Sequence, residues 1–145
     1  MPDSLILKIF NERLGDRAGE FLIPPPCFTS MRGEFVAFDQ GAGALKTRFP
    51  VSEGSLNVFG SMQGGMIAAA VDNTIGPLSM LVAPPNVTRR LEMKYSRPVT
   101  PDLEYLFVEA RLLENEGRRL VFSAEARDRN SKLLARARAW HYIVE

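Results

Sequence analysis

Apolar and polar residues alternate along the second half of the chain. In four segments every second residue is apolar, which is typical of strands that bury one face and expose the other. These apolar positions are Leu91, Met93, Tyr95; Leu106, Val108, Ala110, Leu112; Leu120, Phe122, Ala124, Ala126; and Ala135, Ala137, Ala139, Ile143. Two more short strands, 33–39 and 44–50, are predicted upstream, separated by the turn residues Gly41 and Gly43. Antiparallel pairing suits strands with one exposed face.

Residues 63–82 follow a different pattern. The run 66–71 is apolar on every side, as is most of 75–82, and a helix that is apolar all round is a buried helix. Pro77 would remove a backbone hydrogen bond and clash with the preceding turn, so we expect a kink or a break there. Small residues on this helix and on the last two strands allow close approach. The pattern predicts an α+β fold, with one long helix against a curved antiparallel sheet of about six strands.

The N-terminal segment has a helical pattern of its own. Residues 5–14 predict an amphipathic helix with five apolar residues on one side. The proline run 24–26 should block regular structure and act as a stiff linker. We therefore expect one domain over residues 1–145, with 1–23 as an N-terminal helix and linker extension.

The composition favours one type of cellular compartment and argues against some classes of partner. The chain has 18 basic and 17 acidic residues, which gives no electrostatic case for nucleic acid. Its single cysteine, Cys27, excludes an intramolecular disulfide framework and suits a reducing compartment. We interpret Cys27 as a buried or half-buried thiol. No segment shows a signal peptide or the roughly 18 uninterrupted apolar residues of a membrane span, so we expect a cytoplasmic protein without a membrane partner. No cluster has metal-ligand spacing, so no metal is expected.

The candidate chemistry lies on the predicted helix. Asp72 stands in its apolar middle, where an ionised carboxylate is costly without partners. The carboxylate either hydrogen-bonds to a local group or to solvent, or has a catalytic role, and the pattern leaves both interpretations open. Gly64 and Gly65 stand at the predicted helix start, where the first amides lack acceptors and carry partial positive charge. They could form an oxyanion site or serve only close packing.

The run 57–72 resembles the signature of hotdog-fold acyl-CoA thioesterases, most closely the PaaI-like (phenylacetic acid degradation) branch. That pattern is an Asn, then a His-Gly-Gly six residues on, then an Asp nine residues past the His. Asn57, Gln63 and Asp72 reproduce both spacings. The segment 95–98, Tyr-Ser-Arg-Pro, and the turn at 117–118 match further, so the resemblance covers residue 33 to the C-terminus. It implies a hotdog fold, in which the sheet wraps around the central helix.

The resemblance implies a role for each motif residue. Asp72 corresponds to the carboxylate that acts as general base or nucleophile, and Gly64 to the residue whose amide polarises the thioester carbonyl. Asn57 corresponds to a loop residue near the reacting centre. Gln63 stands where the family usually has His, and it can hydrogen-bond but cannot titrate. Thr88 falls where some relatives have a Ser that helps to hold the lytic water.

The implied substrate is an acyl-CoA, with coenzyme A as part of the substrate and no separate cofactor. Apolar residues around the motif suggest an aromatic or medium-chain acyl group. The residues expected to contact the substrate are Gly65, Phe59, Met62, Met66, Arg89 and Arg90, with Met80 as a further wall of the acyl pocket. Other candidate cations for the phosphates are Arg118, Arg119, Lys132, Arg136 and Arg138. The resemblance also implies a homodimer or homotetramer, because hotdog active sites form between two subunits.

Three other functions stay open. A non-catalytic hotdog domain that binds acyl-CoA or a fatty acid is suggested by Gln63. A hydratase would need a His with an acidic partner, for which His141 is the only candidate. A structural module would leave Asp72 without a purpose. His141 has the parity of the alanine face on the last strand, so we interpret it as a core or edge residue.

Overall fold

The described part of the chain forms three α-helices and six strands. The computed structural model describes residues 2–145, with the side chains of residues 5–145. The helices are α1 Pro2–Leu14, α2 Pro26–Ser30 and α3 Gly64–Val82, with 3-10 turns at Gly15–Glu20, Glu53–Ser55 and Pro101–Leu103. The strands are β1 Glu34–Asp39, β2 Ala44–Pro50, β3 Asn86–Tyr95, β4 Tyr105–Glu116, β5 Arg119–Arg127 and β6 Leu133–Ile143.

The strands form one antiparallel sheet in the order β1-β2-β4-β5-β6-β3. Hairpins join β4 to β5 and β5 to β6, and their turns contain residues in the left-handed region, Gly117 at φ 60° and Ser131 at φ 66°. β3 follows α3 and pairs with β6 at the end of the sheet. The prediction of a curved six-stranded antiparallel sheet around one long helix, with an extra N-terminal helix, is confirmed.

The core lies between α3 and the inner face of the sheet. Ala126, Ala135 and Ala139 on this face are completely buried, as are Ile75 and Leu78 of α3. α3 packs mainly against β4 and β2, and the alanine side chains of β5 and β6 are buried in the same core. α1 adds Ile6 and Phe10 to the same core.

Three details differ from the sequence interpretation. α3 continues through Pro77 without the break that we considered. Pro26 does not block regular structure but opens α2, since proline at the first helical position loses only an amide that has no partner within the helix. Cys27 is exposed rather than buried. In addition, α3 has the length and composition of a membrane span, with a mean hydropathy of 1.3, but it packs as the core helix of this fold and half of that stretch is buried within it.

Candidate active site

Asp72 faces a cavity of about 460 Å³, here called the Asp72 cavity. This cavity lies between α3, the start of β3 and the segment 21–27. Most of its lining is apolar and includes Phe10, Phe21, Leu22, Ile23, Met80 and Val87. An apolar cavity with one carboxylate in its wall has the composition of a small-molecule site.

Desolvation in this cavity raises the pKa of Asp72. The walls remove part of the hydration that stabilises the charged form, and this outweighs the effect of the nearby Thr88 hydroxyl, which lowers the pKa where it donates to Asp72. Although it lines the cavity, Asp72 is exposed to solvent in the single chain, so its desolvation is only partial. A raised pKa brings a carboxylate closer to the proton affinity that a general base needs near neutral pH.

Thr88 is also part of a hydrogen-bond network that includes His141 and Asn86. The Thr88 hydroxyl lies 3.2 Å from Nε2 of His141, and Nδ1 of His141 lies 2.7 Å from Oδ1 of Asn86. His141 is 3% exposed, and burial lowers its pKa to about 4. The imidazole is therefore neutral at the pH at which most enzymes work.

A second pocket, of about 350 Å³, surrounds the start of α3 and is here called the Gly64 pocket. Gly64 opens the helix, where backbone N–H groups have no carbonyl one turn back to bond with. The Tyr95 hydroxyl donates to the Gly64 carbonyl at 2.8 Å. A Cβ atom at Gly64 would lie 3.4 Å from the Tyr95 ring, so glycine permits this close approach. The helix dipole and the free amides make this pocket suitable for an oxyanion.

Asn57 and Gln63 border the Gly64 pocket in different ways. Asn57 lines it, and its Oδ1 accepts the N–H groups of Phe59 at 2.9 Å and Ser61 at 3.3 Å, which folds the loop before α3. Gln63 is the N-cap residue of α3, and its side chain is exposed and makes no capping bond. Its backbone N–H donates to the Ser55 carbonyl at 2.8 Å.

The motif residues divide between the two sites. Asn57, Met62 and Gly64 lie at one, whereas Asp72 and Thr88 lie at the other. Gly64 and Asp72 are eight residues apart on α3, a rise of about 12 Å. A single chain therefore cannot present both groups to one carbonyl.

The residues expected to line the acyl pocket also lie apart. Of these expected residues, only Met80 lines the Asp72 cavity. Met62 is buried beside the Gly64 pocket, and Met66 packs half-buried against the core. Phe59 is 88% exposed. Gly65 is exposed at the helix start, with open space where a Cβ would stand. Within one chain, the Asp72 cavity has walls that the sequence did not indicate.

Arg89 and Arg90 follow Thr88 on β3 and lie outside both pockets. The Arg89 guanidinium lies 5.3 Å from the centre of the Tyr142 ring. That of Arg90 lies 4.9 Å from the centre of the Trp140 ring and pairs with Glu92. Arg89 has no carboxylate partner within the described part of the chain, so it is the freer of the two to bind an anion.

Three positions escaped the sequence analysis. Tyr95 was interpreted only as part of a strand, Asn86 was not assigned to the site, and His141 was interpreted as a core or edge residue. The one available signal was the parity of His141, which correctly placed it inside. Its contact with Thr88 joins residues 53 positions apart and depends on strand register. Among the described residues no cluster of His, Cys, Asp or Glu could hold a metal ion.

A long helix wrapped by a six-stranded antiparallel sheet defines a hotdog-fold protein, and here a carboxylate stands halfway along the helix. The family model of the thioesterase superfamily matches residues 59–135, more than half of the chain. The chain belongs to the thioesterase superfamily and is a thioester hydrolase. The matched segment contains Gly64, Asp72 and Thr88. No curated protein sequence matches the chain significantly.

Solved structures show the same fold. A phenylacetic acid degradation-related protein of Ralstonia eutropha JMP134 is 24% identical with a TM-score of 0.79, and the match covers 93% of this chain and 98% of that one. The E. coli PaaI protein from the phenylacetic acid degradation operon is 15% identical with a TM-score of 0.79, over 94% and 96%. Smu.793 of Streptococcus mutans UA159, solved bound to acetyl CoA, is 19% identical with a TM-score of 0.72, over 77% and 88%. At these identities the similarity is one of fold, and it agrees with the PaaI-like hotdog resemblance.

Proposed function

We propose that the chain hydrolyses an acyl-CoA to a free acid and coenzyme A, with Asp72 as the general base. Water adds to the thioester carbon while Asp72 accepts its proton, and the Gly64 amide stabilises the oxyanion. The C–S bond then breaks, and the proton moves from Asp72 to the departing sulfur. The observation that carries this proposal is a carboxylate of raised pKa in the wall of an apolar cavity.

The proposed acyl site is the Asp72 cavity. Its volume of about 460 Å³ is within the range of small-molecule sites, and its lining is mostly apolar. The aromatic rings of Phe10 and Phe21 contribute to the walls, which supports an aromatic or medium-chain acyl group. The structures of Streptococcus mutans smu.793 with acetyl CoA and of a Streptococcus pneumoniae TIGR4 hypothetical thioesterase with coenzyme A support the CoA half of the substrate.

The working unit in this proposal is a homodimer, alone or as half of a tetramer. Because about 12 Å of helix separates Gly64 from Asp72, the amide that meets the acyl group beside Asp72 must come from a second copy. A two-fold axis between antiparallel α3 helices would form two identical sites. In this assembly Asn57, Met62, Met66 and Phe59 would approach the substrate from the partner subunit.

The test is thiol release from a panel of acyl-CoA esters. The panel contains acetyl, hexanoyl, decanoyl, benzoyl and phenylacetyl esters, and the enzymes are the wild type and Asp72→Asn. The substitution keeps the shape but removes the proton acceptor, so kcat should fall by about 10²–10⁴-fold. Turnover that is equal in both proteins on every ester would refute the proposal. Ester binding without thiol release in the wild type would favour the non-catalytic binding domain that Gln63 suggests.

The remaining expectations are part of the same proposal. The chain would act in the cytoplasm as a single domain, without a separate cofactor, a metal, a nucleic-acid partner or a membrane partner. Support comes from its charge balance and from its single cysteine. Arg89 is the proposed cation for a CoA phosphate, with Arg90 beside it.

A further inference from the structure

The hydrogen bonds of Asn86 determine which tautomer of His141 is present. The Asn86 amide nitrogen donates to two backbone carbonyls, of Pro84 at 2.9 Å and of Ser79 at 3.3 Å. Its oxygen therefore faces Nδ1 of His141 at 2.7 Å and can only accept. The proton of the neutral ring must lie on Nδ1, so Nε2 carries a lone pair.

That lone pair is directed at Thr88. Nε2 of His141 lies 3.2 Å from the Thr88 hydroxyl, and because Nε2 can only accept, the hydroxyl must donate. Asp72 lies on the other side of Thr88 and is a second acceptor for the same hydroxyl proton. One proton cannot be donated fully to both groups, so His141 competes with Asp72 for it.

We propose that His141, held in one tautomer by Asn86, is a positioning residue that accepts the hydrogen bond of the Thr88 hydroxyl and so presents the Thr88 oxygen as an acceptor to the attacking water. The inference rests on the proposed role of Asp72 as general base. A water between the two side chains then donates one hydrogen to Asp72 and the other to Thr88. Both hydrogens point away from the acyl group, which leaves a lone pair for attack on its carbonyl carbon.

The same arrangement keeps Asp72 basic. If the Thr88 hydroxyl donated to the carboxylate, it would stabilise the charged form and lower its proton affinity. The titratable groups that line the cavity among the described residues are Asp72 on α3 and Cys27 on α2. His141 reaches it from β6 through Thr88, and the guanidinium of Arg89, on β3, stacks outside on Tyr142.

The first experiment determines the tautomer of His141 directly. His141 is the only histidine in the chain, so ¹⁵N spectra of tag-free, imidazole-labelled protein contain a single imidazole. We expect a neutral ring with the proton on Nδ1 from pH 8 down to about pH 5. A proton on Nε2, or a cationic ring at pH 6, would overturn the inference. This measurement needs no variant and does not depend on enzyme activity.

The second experiment asks whether His141 acts through Thr88. The enzymes are His141→Phe, Thr88→Val and the double variant, compared with the wild type over a pH range. Phe preserves the ring that packs edge-on against Phe122 with centroids 5.0 Å apart. His141→Phe should lower kcat about tenfold, the equivalent of one hydrogen bond, with KM changed less. It should also move the acid limb of the kcat profile down by up to about one pH unit, because Thr88 then donates to Asp72.

In the Thr88→Val background, His141→Phe should lower kcat by less than about twofold and should not move the acid limb of the kcat profile. The reason is that His141 acts through the Thr88 hydroxyl, which this background lacks. An equal loss in both backgrounds, or no shift of the acid limb, shows a purely structural histidine and overturns the inference. These outcomes are separate from the test of the proposed function. Full activity in Asp72→Asn defeats the function whatever the tautomer, whereas an inactive Asp72→Asn with additive His141 effects defeats only this inference.

Discussion

Acidification should destabilise this protein through one identifiable group. His141 is neutral and 3% exposed in the folded chain, and burial lowers its pKa to about 4. In the unfolded chain the same ring has a pKa of about 6.5. The unfolded state therefore binds a proton more readily, and the free energy of unfolding falls as the pH drops from about 6.5 to about 4.

The magnitude follows from the difference between the two pKa values. One pKa unit corresponds to about 1.4 kcal/mol, so the full shift amounts to about 3 kcal/mol, most of which is lost between pH 7 and pH 4.5. This is a large part of the roughly 5–15 kcal/mol that stabilises a typical domain. Asp72 acts in the opposite direction, since a raised carboxylate pKa gives stability on acidification. Asp128 and Glu145, whose pKa values are lowered by hydrogen bonds, lose their contributions mainly below about pH 4.

The assay is urea unfolding at pH 7 and pH 4.5, followed by circular dichroism, for the wild type and for His141→Phe. The free energy of unfolding of the variant should change less between the two pH values than that of the wild type, by about 2–3 kcal/mol, whatever its stability at pH 7. Asp72→Asn serves as a control, because it removes the opposing contribution and should steepen the loss. An equal pH dependence in the wild type and His141→Phe would refute the argument.

Three further predictions concern glycines. Gly64→Pro removes one amide at the first helical position, where proline is accepted, and should abolish thioesterase activity, whereas Gly65→Ala should not. Mixing the Gly64→Pro and Asp72→Asn proteins with subunit exchange should restore about a quarter of the wild-type sites if each site takes one group from each copy, and no recovery would contradict the shared site. Gly33→Ala would place a Cβ 2.7 Å from the Phe49 ring and should destabilise the fold by about 1–3 kcal/mol, measured by urea unfolding; an unchanged midpoint would show that the ring can move aside.

The alternation of apolar and polar residues predicted most of the strands of the fold. The predicted strand 44–50 coincides with β2, and the alternation in the last three segments correctly indicated which faces are buried. These features depend on local backbone geometry, which puts alternate residues of a strand on opposite faces. The break considered at Pro77 does not occur, because packing along the length of α3 outweighs the local cost of the proline.

The candidate site likewise has one part that the sequence predicted and another that depends on the tertiary structure. The spacing of Asn57, Gln63 and Asp72 was sufficient to recognise the motif, because all three lie within one loop and one helix. The sequence by itself thus determined the strands, the buried helix and its carboxylate. The contact between Thr88 and His141 was decided only by the tertiary structure. It needs β3 to pair with β6 in one register, with an irregularity between Thr88 and Arg90, and a slip of one residue would turn the Thr88 side chain to the other face.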